Sequence, residues 1–395
     1  MKYKYAMLVG DGMADFPVEE LGGKTVLEYA YTPNMDRVVS QGRIGLVSTV
    51  PDGFLPGSDV ANMSLMGYDP AKYYSGRAPV EAASMGIKLS AEDIAFRCNF
   101  VTIENGIMRD YSAGHIETSE AAKLIATLQD ALGSDTVRFY PGVSYRHLLV
   151  VRGVGGALKC VPPHDITGRE VSGYLPSGKD SEYILSIMNN AREVLTKACG
   201  YHNRMREIGS CAATDIWLWG QGPAVSLPSL KEKFGISGSV ISAVDLIRGL
   251  GKLAGLNVRI VEGATGYLGT NYAGKVAAAV SAFENGEDFV YLHVEAPDET
   301  SHEGSLEKKI LAIEEFDKYV VGEMLDYQEK RGDLRIIVLP DHATPVSLRT
   351  HDAMAVPFGM CGPGVEADSA AVYCEKAARG SVSLSGPSLF EVFIS

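Results

Sequence analysis

The chain has 395 residues, of which 46% are hydrophobic and 22% charged, which predicts a globular protein of two domains and excludes a disordered chain. Its net charge of −13 and pI of about 5.2 argue against non-specific nucleic-acid binding, which needs a basic surface. A membrane span would need an apolar run of about 18 residues, which the sequence lacks, and six scattered cysteines without a CxxC pair fit reduced thiols in the cytoplasm.

The N-terminal segment predicts the start of an α/β domain. Residues 5–9 are apolar and predict a strand, residues 10–12 a turn, residues 34–41 a helix and residues 44–50 a second strand. This alternation of strands and helices is typical of a mainly parallel sheet.

Residues 57–67 predict a turn and then a short helix that begins at Ser58. A hydroxyl there meets the positive end of the helix dipole, and a nearby metal ion would activate it as a nucleophile. A plain serine N-cap is the commoner use of such a residue. Ser64 is a second candidate nucleophile that these residues alone leave open.

The middle of the chain predicts an inserted domain. Strand-like runs occur at residues 94–103 and 147–151, helical patterns at 118–132 and 181–199, and arginine and histidine are concentrated here. We therefore interpret residues 1–85 and 206–395 as a discontinuous main domain. Residues 86–205 would form a smaller α/β domain that caps it.

The C-terminal third returns to the pattern of the N-terminus. It predicts strands at residues 258–261, 288–294 and 334–339, and helices at 272–285 and 306–329. Strands that are apolar without interruption indicate a sheet covered by helices on both faces.

Residue types that bind metals follow several predicted strands. They are Asp11, Asp298, His302, Asp341, His342 and His351. A lone aspartate after a strand is usually a helix cap, but sites of α/β proteins also collect beyond the carboxyl ends of strands. The four-residue spacing of Asp298 and His302 places both on one face of a helix.

The combination of histidine and aspartate side chains indicates which metal ions would bind and which reaction they would support. Imidazole and carboxylate ligands suit Mn²⁺ or Zn²⁺ better than Mg²⁺ or Ca²⁺ alone. Two such ions about 4 Å apart stabilise both the attacking and the leaving oxygen in phosphoryl transfer. The sequence therefore predicts a two-metal phosphoryl-transfer enzyme.

Several segments carry a resemblance to a known family. They are residues 8–15, 56–70, 95–99, 163–165, 217–222, 293–302 and 340–342. Together they resemble the archaeal type of cofactor-independent phosphoglycerate mutase, within the alkaline phosphatase superfamily. The resemblance covers nearly the whole chain. It implies an alkaline-phosphatase-like α/β sheet with helices on both faces, interrupted by a smaller substrate-binding cap domain.

The resemblance also implies two divalent metal ions and no 2,3-bisphosphoglycerate. The implied ligands are Asp11, Ser58, Asp341 and His342 for one ion, and Asp298, His302 and His351 for the other. Mn²⁺ is the favoured ion, with Zn²⁺, Co²⁺ and Mg²⁺ as alternatives. An oxygen- and nitrogen-rich set of this kind agrees with the ligand types found after the strands.

The implied reaction is the interconversion of 3-phosphoglycerate and 2-phosphoglycerate in glycolysis and gluconeogenesis. Ser58 would accept the phosphoryl group and return it to the 2-hydroxyl of the retained glycerate. The resemblance favours Ser58 over Ser64 because residues 58–61 align with the family's nucleophile segment, Ser-Glu-Val-Gly.

The substrate carboxylate and phosphate would bind cationic side chains. The candidates are Arg109, His115, Arg204, Arg206 and Lys252. The family more often has arginine at the position of His115, so the contact there would differ. The only partner expected is this small-molecule substrate, with no nucleic acid and no membrane, and a homo-oligomer is left open.

Two other functions compete with this interpretation. A related phosphotransfer enzyme, such as a homoserine kinase, would need a nucleotide donor, and the sequence has no GxxxxGK[ST] loop. A degenerate metal-binding or scaffold protein is less favoured, since every expected type of ligand is present.

Overall fold

The computed structural model describes residues 3–154, 157–202 and 212–395. Its strands are β1 (Lys4–Gly10), β2 (Arg43–Ser48), β3 (Asp93–Glu104), β4 (Ile107–Asp110), β5 (Val137–Tyr140), β6 (Arg146–Arg152), β7 (Leu158–Lys159), β8 (Ser177–Gly178), β9 (Asp215–Pro223), β10 (Gly238–Ile241), β11 (Asn257–Arg259), β12 (Phe289–Val294), β13 (Leu334–Leu339), β14 (Val356–Cys361) and β15 (Ser383–Ser385).

The α-helices in chain order are α1 (Val26–Tyr29), α2 (Pro33–Ser40), α3 (Ser58–Leu65), α4 (Pro70–Tyr73), α5 (Arg77–Ser84), α6 (Thr118–Leu132), α7 (Ser181–His202), α8 (Leu230–Phe234), α9 (Asp245–Leu253), α10 (Tyr272–Glu284), α11 (Ala296–His302), α12 (Leu306–Phe316), α13 (Glu323–Arg331), α14 (Glu375–Ala378) and α15 (Gly386–Ile394). Short 3-10 helices span Glu19–Leu21, Pro163–Ile166 and Val171–Tyr174, and a π-helix spans Asp317–Gly322.

The chain divides into two compact units, which are described separately. The first consists of Met1–Tyr74 and Ser226–Ser395, and the second of Ser75–Val225. The boundaries expected from the sequence, at 85/86 and 205/206, therefore need correction. The second unit gains α5 and β9 because α5 packs against β3 and β9, and β9 pairs along β3.

A mainly parallel sheet forms the centre of the first unit, as predicted. Its strand order is β11-β10-β12-β1-β13-β14-β2-β15. The pairs from β11 to β13 are parallel, and β14 runs antiparallel to both of its neighbours. The carboxyl ends of β12, β1 and β13 consequently meet at one edge of the sheet.

Both faces of this sheet are covered by helices. Every residue of β12 and β13 is buried, which explains why these strands are mostly apolar; His293 and Arg335 are the exceptions. On one face, Leu8 and Leu292 pack into a core with residues of α2, α10, α12 and α13. On the other face, the ring of Phe289 lies 5.6 Å from that of Phe390 in α15. The predicted layered α/β architecture is confirmed.

The long helix predicted at residues 306–329 is interrupted. The chain forms α12, then the π-helix Asp317–Gly322, then α13. Asp317 accepts backbone hydrogen bonds from Asn34, at 3.2 Å, and Met35, at 2.6 Å. Because the first N–H groups of a helix lack partners within it, Asp317 provides the acceptor that Thr32, the N-cap of α2, does not.

The second unit has an antiparallel sheet. Its strand order is β4-β3-β6-β5, and β9 also pairs with β3. Residues of α6 and α7 pack with Trp217 and other strand residues into the core of this unit. In the part of the chain that the structure describes, no helix combines the length and apolar composition needed to cross a bilayer.

His147, in β6 of the second unit, is a buried histidine without an ionic partner in the described residues. Only 2% of it is exposed, its Nδ1 accepts a hydrogen bond from Gly142 N at 3.0 Å, and its ring lies 4.8 Å from that of Phe100. Burial lowers the pKa of His147 to about 3. The folded chain thus keeps this imidazole neutral, whereas the unfolded chain protonates it near pH 6.5.

The stability of the second unit should therefore fall as the pH drops below about 6.5, since only the unfolded state takes up this proton. Between pH 7.5 and pH 5.0 the wild type should lose about 2 kcal/mol more free energy of unfolding than His147→Asn. Urea unfolding followed by tryptophan fluorescence measures this difference, because both tryptophans, Trp217 and Trp219, lie in this unit. Equal losses of free energy of unfolding in the two proteins would contradict the conclusion that His147 stays neutral in the folded chain.

Candidate active site

Three aspartates converge at the carboxyl edge of the first unit's sheet. Asp11 directly follows β1, Asp341 follows β13, and Asp298 lies in α11, which begins just after β12. Since β12, β1 and β13 are neighbours, the three carboxylates come together. Their exposed fractions are only 2% for Asp11, 0% for Asp341 and 5% for Asp298.

Asp298 is surrounded by two histidines. Its Oδ2 lies 3.1 Å from His302 Nε2, and its Oδ1 lies 3.6 Å from His351 Nε2. The two Nε2 atoms are 3.2 Å apart. Asp298 and His302 share one face of α11, as the four-residue spacing predicts. His302 Nδ1 lies 2.9 Å from the carbonyl oxygen of Arg349, which orients the ring.

Ser58 brings a hydroxyl to this cluster as the first residue of α3, where the sequence predicts a helix to begin. Its Oγ lies 3.1 Å from His342 Nε2. The same Nε2 is 3.4 Å from both Asp11 Oδ1 and Asp341 Oδ2. Because Ser58 is only half-buried while His342 is fully buried, the hydroxyl lies where the cluster opens toward solvent.

Asp341 is held by donors on both of its oxygens. Its Oδ1 accepts the backbone N–H of Gly12 at 3.2 Å, and its Oδ2 accepts the Asn62 amide at 2.7 Å. Tyr291 donates in turn to Asn62 Oδ1. Gly12 has a φ of 65°, and a Cβ there would lie 2.7 Å from Asp298 Oδ1. Only glycine therefore permits this close approach of the two loops.

The buried charges strongly perturb one another. Burial and the charges of Asp341 and Asp298 raise the pKa of Asp11 well above its usual range. Burial also acts to raise the pKa of Asp298, but the hydrogen bonds and charges of His302 and His351 outweigh it and lower that pKa well below its usual range. Although burial lowers the pKa of His302, Asp298 raises it to about 9.

The donor atoms fit divalent cations. Two groups each bring their ligand atoms within 4.8 Å of one another: Asp11, His293 and Asp341 form one, and Asp298, His342 and His351 form the other. Asp11 Oδ1 is buried without a hydrogen-bond partner among the described residues, and such an atom is costly unless something compensates it. Carboxylates with imidazoles suit Mn²⁺, Zn²⁺ or Co²⁺.

Proteins with similar sequences belong to one named enzyme family. The family model of 2,3-bisphosphoglycerate-independent phosphoglycerate mutase matches residues 40–199. A Methanosarcina mazei protein of that name is 53% identical over 359 residues, which cover 90% of each chain. The chain belongs to this family. A Geobacter sulfurreducens relative, named as a probable member of the same family, is 51% identical over 96% of each chain. The resemblance inferred from the motifs is confirmed.

Two solved structures have a fold similar to that of this chain. A Pyrococcus horikoshii protein superposes with a TM-score of 0.83 at 29% identity and covers 100% of this chain and 97% of its own. The cofactor-independent phosphoglycerate mutase from Thermoplasma acidophilum superposes with a TM-score of 0.67 at 25% identity and covers 99% of each chain.

The other predicted site residues have no described contact with the three aspartates, or fall outside the residues that the structure describes. Lys252 is exposed near the end of α9 in the first unit. Arg109 and His115 are exposed in the second unit, where Arg109 Nε lies 3.9 Å from Glu104 Oε2. Arg204 and Arg206 fall outside the residues that the structure describes.

Sequence reasoning missed several residues of the cluster. They are His293, Asn62, Tyr291, Thr344 and Lys309. The one available signal was for His293, a polar residue next to the end of the otherwise apolar strand β12. Thr344 donates to Asp298 Oδ1 at 2.6 Å and contacts His342 Nδ1 at 3.2 Å, but nothing local in the sequence distinguishes it from any loop threonine.

Lys309 joins the loops that follow β1 and β13. This fully buried lysine in α12 donates to Asp15 Oδ2 at 2.8 Å and to the carbonyl oxygens of Ala14 at 3.2 Å and Thr344 at 2.9 Å. Residues 14 and 15 follow Asp11, and Thr344 follows Asp341. Three acceptors satisfy the ammonium group, so its burial is compensated.

Lys309→Met should leave Asp15 buried without its cation and cost about 3–5 kcal/mol of the free energy of unfolding. Lys308→Met is the matched control, since the neighbouring Lys308 forms an exposed ion pair with Glu303 and such pairs contribute little. Urea unfolding followed by far-ultraviolet circular dichroism compares the two variants. Similar small losses in both would contradict the role of Lys309.

Proposed function

We propose that the chain is an isomerase that interconverts 3-phosphoglycerate and 2-phosphoglycerate through a phosphoserine at Ser58, independently of 2,3-bisphosphoglycerate. The observation that carries the proposal is the Ser58 hydroxyl, 3.1 Å from His342 at the rim of three buried carboxylates, in a chain of the mutase family. Glycolysis and gluconeogenesis in the cytoplasm are the proposed setting.

Two divalent metal ions are part of the proposal, with Mn²⁺ favoured. The proposed ligands are Asp11, Ser58, Asp341 and His342 for one ion, and Asp298, His302 and His351 for the other. When bound, the ions supply positive charge that stabilises the nucleophilic and leaving oxygens of phosphoryl transfer. Support comes from the donor groups that converge there and from the buried negative charge they carry. His342 can reach either ion, because its ring is close to Asp298 and His351; it is assigned to the first because its Nε2 lies 3.4 Å from both Asp11 Oδ1 and Asp341 Oδ2.

The reaction proceeds in two balanced transfers. First, Ser58 Oγ loses its proton and attacks the phosphorus; the bond from phosphorus to the 3-oxygen breaks, and that oxygen takes a proton. The glycerate is retained, and its 2-hydroxyl then loses a proton and attacks the phosphoserine, which restores the Ser58 hydroxyl. The N-terminus of α3 presents the positive end of its dipole to the phosphoryl group throughout.

Substrate anions require cationic contacts, and we propose Arg109, His115, Arg204, Arg206 and Lys252 for them. The turn that carries His115 supports its inclusion: Ala113, Gly114 and His115 all have φ values between 51° and 70°. Asp110 holds this turn through backbone hydrogen bonds from Ser112, at 2.7 Å, and Gly114, at 2.8 Å. Consecutive left-handed residues outside glycine are costly and occur preferentially at functional sites.

The proposed nucleophile is tested by Ser58→Ala, with Ser64→Ala as the matched control in the same helix. An enolase-coupled assay with Mn²⁺ and 3-phosphoglycerate, without bisphosphoglycerate or nucleotide, should show activity reduced by about 10³-fold or more in Ser58→Ala, because the covalent step is lost. Ser64→Ala should stay near wild type.

Mass spectrometry of acid-quenched wild type should locate phosphate on Ser58. Full activity of Ser58→Ala would overturn the assignment. Absence of turnover in the wild type with Mn²⁺, Co²⁺ or Zn²⁺ would overturn the mutase function. ATP-dependent phosphorylation of homoserine would point instead to a kinase.

Asp341→Ala tests the proposed division of ligands. Asp341 belongs to only one of the two proposed sites, so equilibrium dialysis with Mn²⁺ should show tight binding reduced from two ions to one, while mutase activity is lost. Asp352→Ala, which changes an aspartate of the same loop outside the cluster, is the control. Retention of two tightly bound ions by Asp341→Ala would contradict the ligand set.

A further inference from the structure

We propose that His293 is a ligand of the metal ion bound by Asp11 and Asp341. This inference rests on the proposed two-metal function and adds a residue that the sequence motifs did not place among the ligands. The argument starts from the position of His293 in its strand.

His293 is the only histidine in β12. The other residues of this strand are apolar or aromatic. Successive side chains of a strand point to opposite faces, so His293 shares its face with Tyr291, which contacts Asn62. Parallel pairing sets His293 beside Val9 of β1, two residues before Asp11. This places the imidazole directly under the loop that carries Asp11.

The ring is oriented so that Nε2 faces the carboxylates. His293 Nε2 lies 3.1 Å from Asp11 Oδ2, and its Nδ1 lies 3.4 Å from the Ser242 hydroxyl. Histidines that bind metals usually engage the second ring nitrogen with another polar group, which fixes the ring. Ser242 occupies the place of that second partner.

Two polar atoms at this place lack hydrogen bonds. The 3.1 Å approach of His293 Nε2 to Asp11 Oδ2 lacks hydrogen-bond geometry. His293 Nε2 and Asp11 Oδ1 are therefore both buried without a hydrogen-bond partner among the described residues. Their residues are 0% and 2% exposed, respectively. Leaving a buried polar atom unsatisfied is costly, and a cation between the imidazole and the two carboxylates would satisfy both atoms.

The backbone at His293 is held independently of the ring. Lys275 Nζ donates to the His293 carbonyl oxygen at 2.9 Å, and β12 is paired on both sides, with β1 and β10. The position of the strand backbone therefore does not depend on the imidazole. A nitrogen ligand would favour Mn²⁺, Co²⁺ or Zn²⁺ over Mg²⁺ at this site, because Mg²⁺ prefers oxygen ligands.

The test compares wild type, His293→Ala and His293→Asn, with His147→Asn as a control for a buried histidine outside the cluster. Metal-free proteins are titrated with Co²⁺, Mn²⁺ and Mg²⁺ by calorimetry, and the visible absorption of the Co²⁺-loaded proteins is recorded. Circular dichroism checks that each variant is folded. Ser242→Ala, which removes only the partner of Nδ1, is expected to have a smaller effect in the same direction.

We expect both His293 variants to bind one ion as tightly as wild type does. For Co²⁺ and Mn²⁺ the other ion should bind at least about tenfold more weakly, since loss of a residue that only hydrogen-bonds to a metal ligand already costs about 10–100-fold. The effect on Mg²⁺ should be smaller, and the Co²⁺ spectrum should change. Added imidazole should restore part of the Co²⁺ affinity of His293→Ala.

Unchanged affinities, stoichiometry and spectrum in folded His293 variants would overturn the inference while leaving the two-metal function in place. A wild type that binds no metal ion would instead overturn the proposed function itself. A folded His293→Asn that loses affinity while the Co²⁺ spectrum stays the same would also count against direct ligation.

Discussion

The burial of three carboxylates at one edge of a sheet is the constraint on which the rest of this structure depends. Asp11, Asp298 and Asp341 are almost fully shielded from water. Two like charges about 5 Å apart repel by about 3 kcal/mol at an effective dielectric constant of about 20. The fold therefore has to supply protons, donors or cations to this edge, and most of the unusual polar contacts of the first unit do so.

The compensation differs from one carboxylate to the next. Asp298 is next to His302 and His351 and stays ionised, as the lowered pKa of Asp298 indicates. Asp341 receives a backbone N–H and an amide. Asp11 has the least support, because its Oδ1 has no hydrogen bond among the described residues and its pKa is raised. This asymmetry is the physical reason to expect a cation beside Asp11.

The surrounding side chains act by fixing the loops that carry Asp11 and Asp341. Lys309 joins the loop after β1 to the loop after β13, and the hydrogen bonds from Tyr291 to Asn62 and from Asn62 to Asp341 connect β12 with α3 and the loop after β13. These hydrogen bonds keep the carboxylates close together although the negative charges repel one another. Phosphoryl transfer depends on this positioning, since charge stabilisation falls off when groups shift.

The sequence by itself determined the layered α/β class, five strands of the first unit (β1, β2, β11, β12 and β13), the helix at Ser58 and the residue types beyond the strand ends. These follow from local patterns, because strand burial and helix periodicity leave a regular trace in neighbouring residues. The family membership followed from short motifs, each of which is a run of neighbouring residues. The tertiary structure decided which distant residues meet.

The antiparallel position of β14, the π-helix at Asp317 and the inclusion of α5 and β9 in the second unit depend on pairing between segments far apart in the chain. His293, Asn62 and Lys309 likewise acquire their partners only when β12, α3 and α12 pack around one sheet edge. No periodic pattern encodes such a meeting, since it depends on strand order and on side chains that are far apart in sequence.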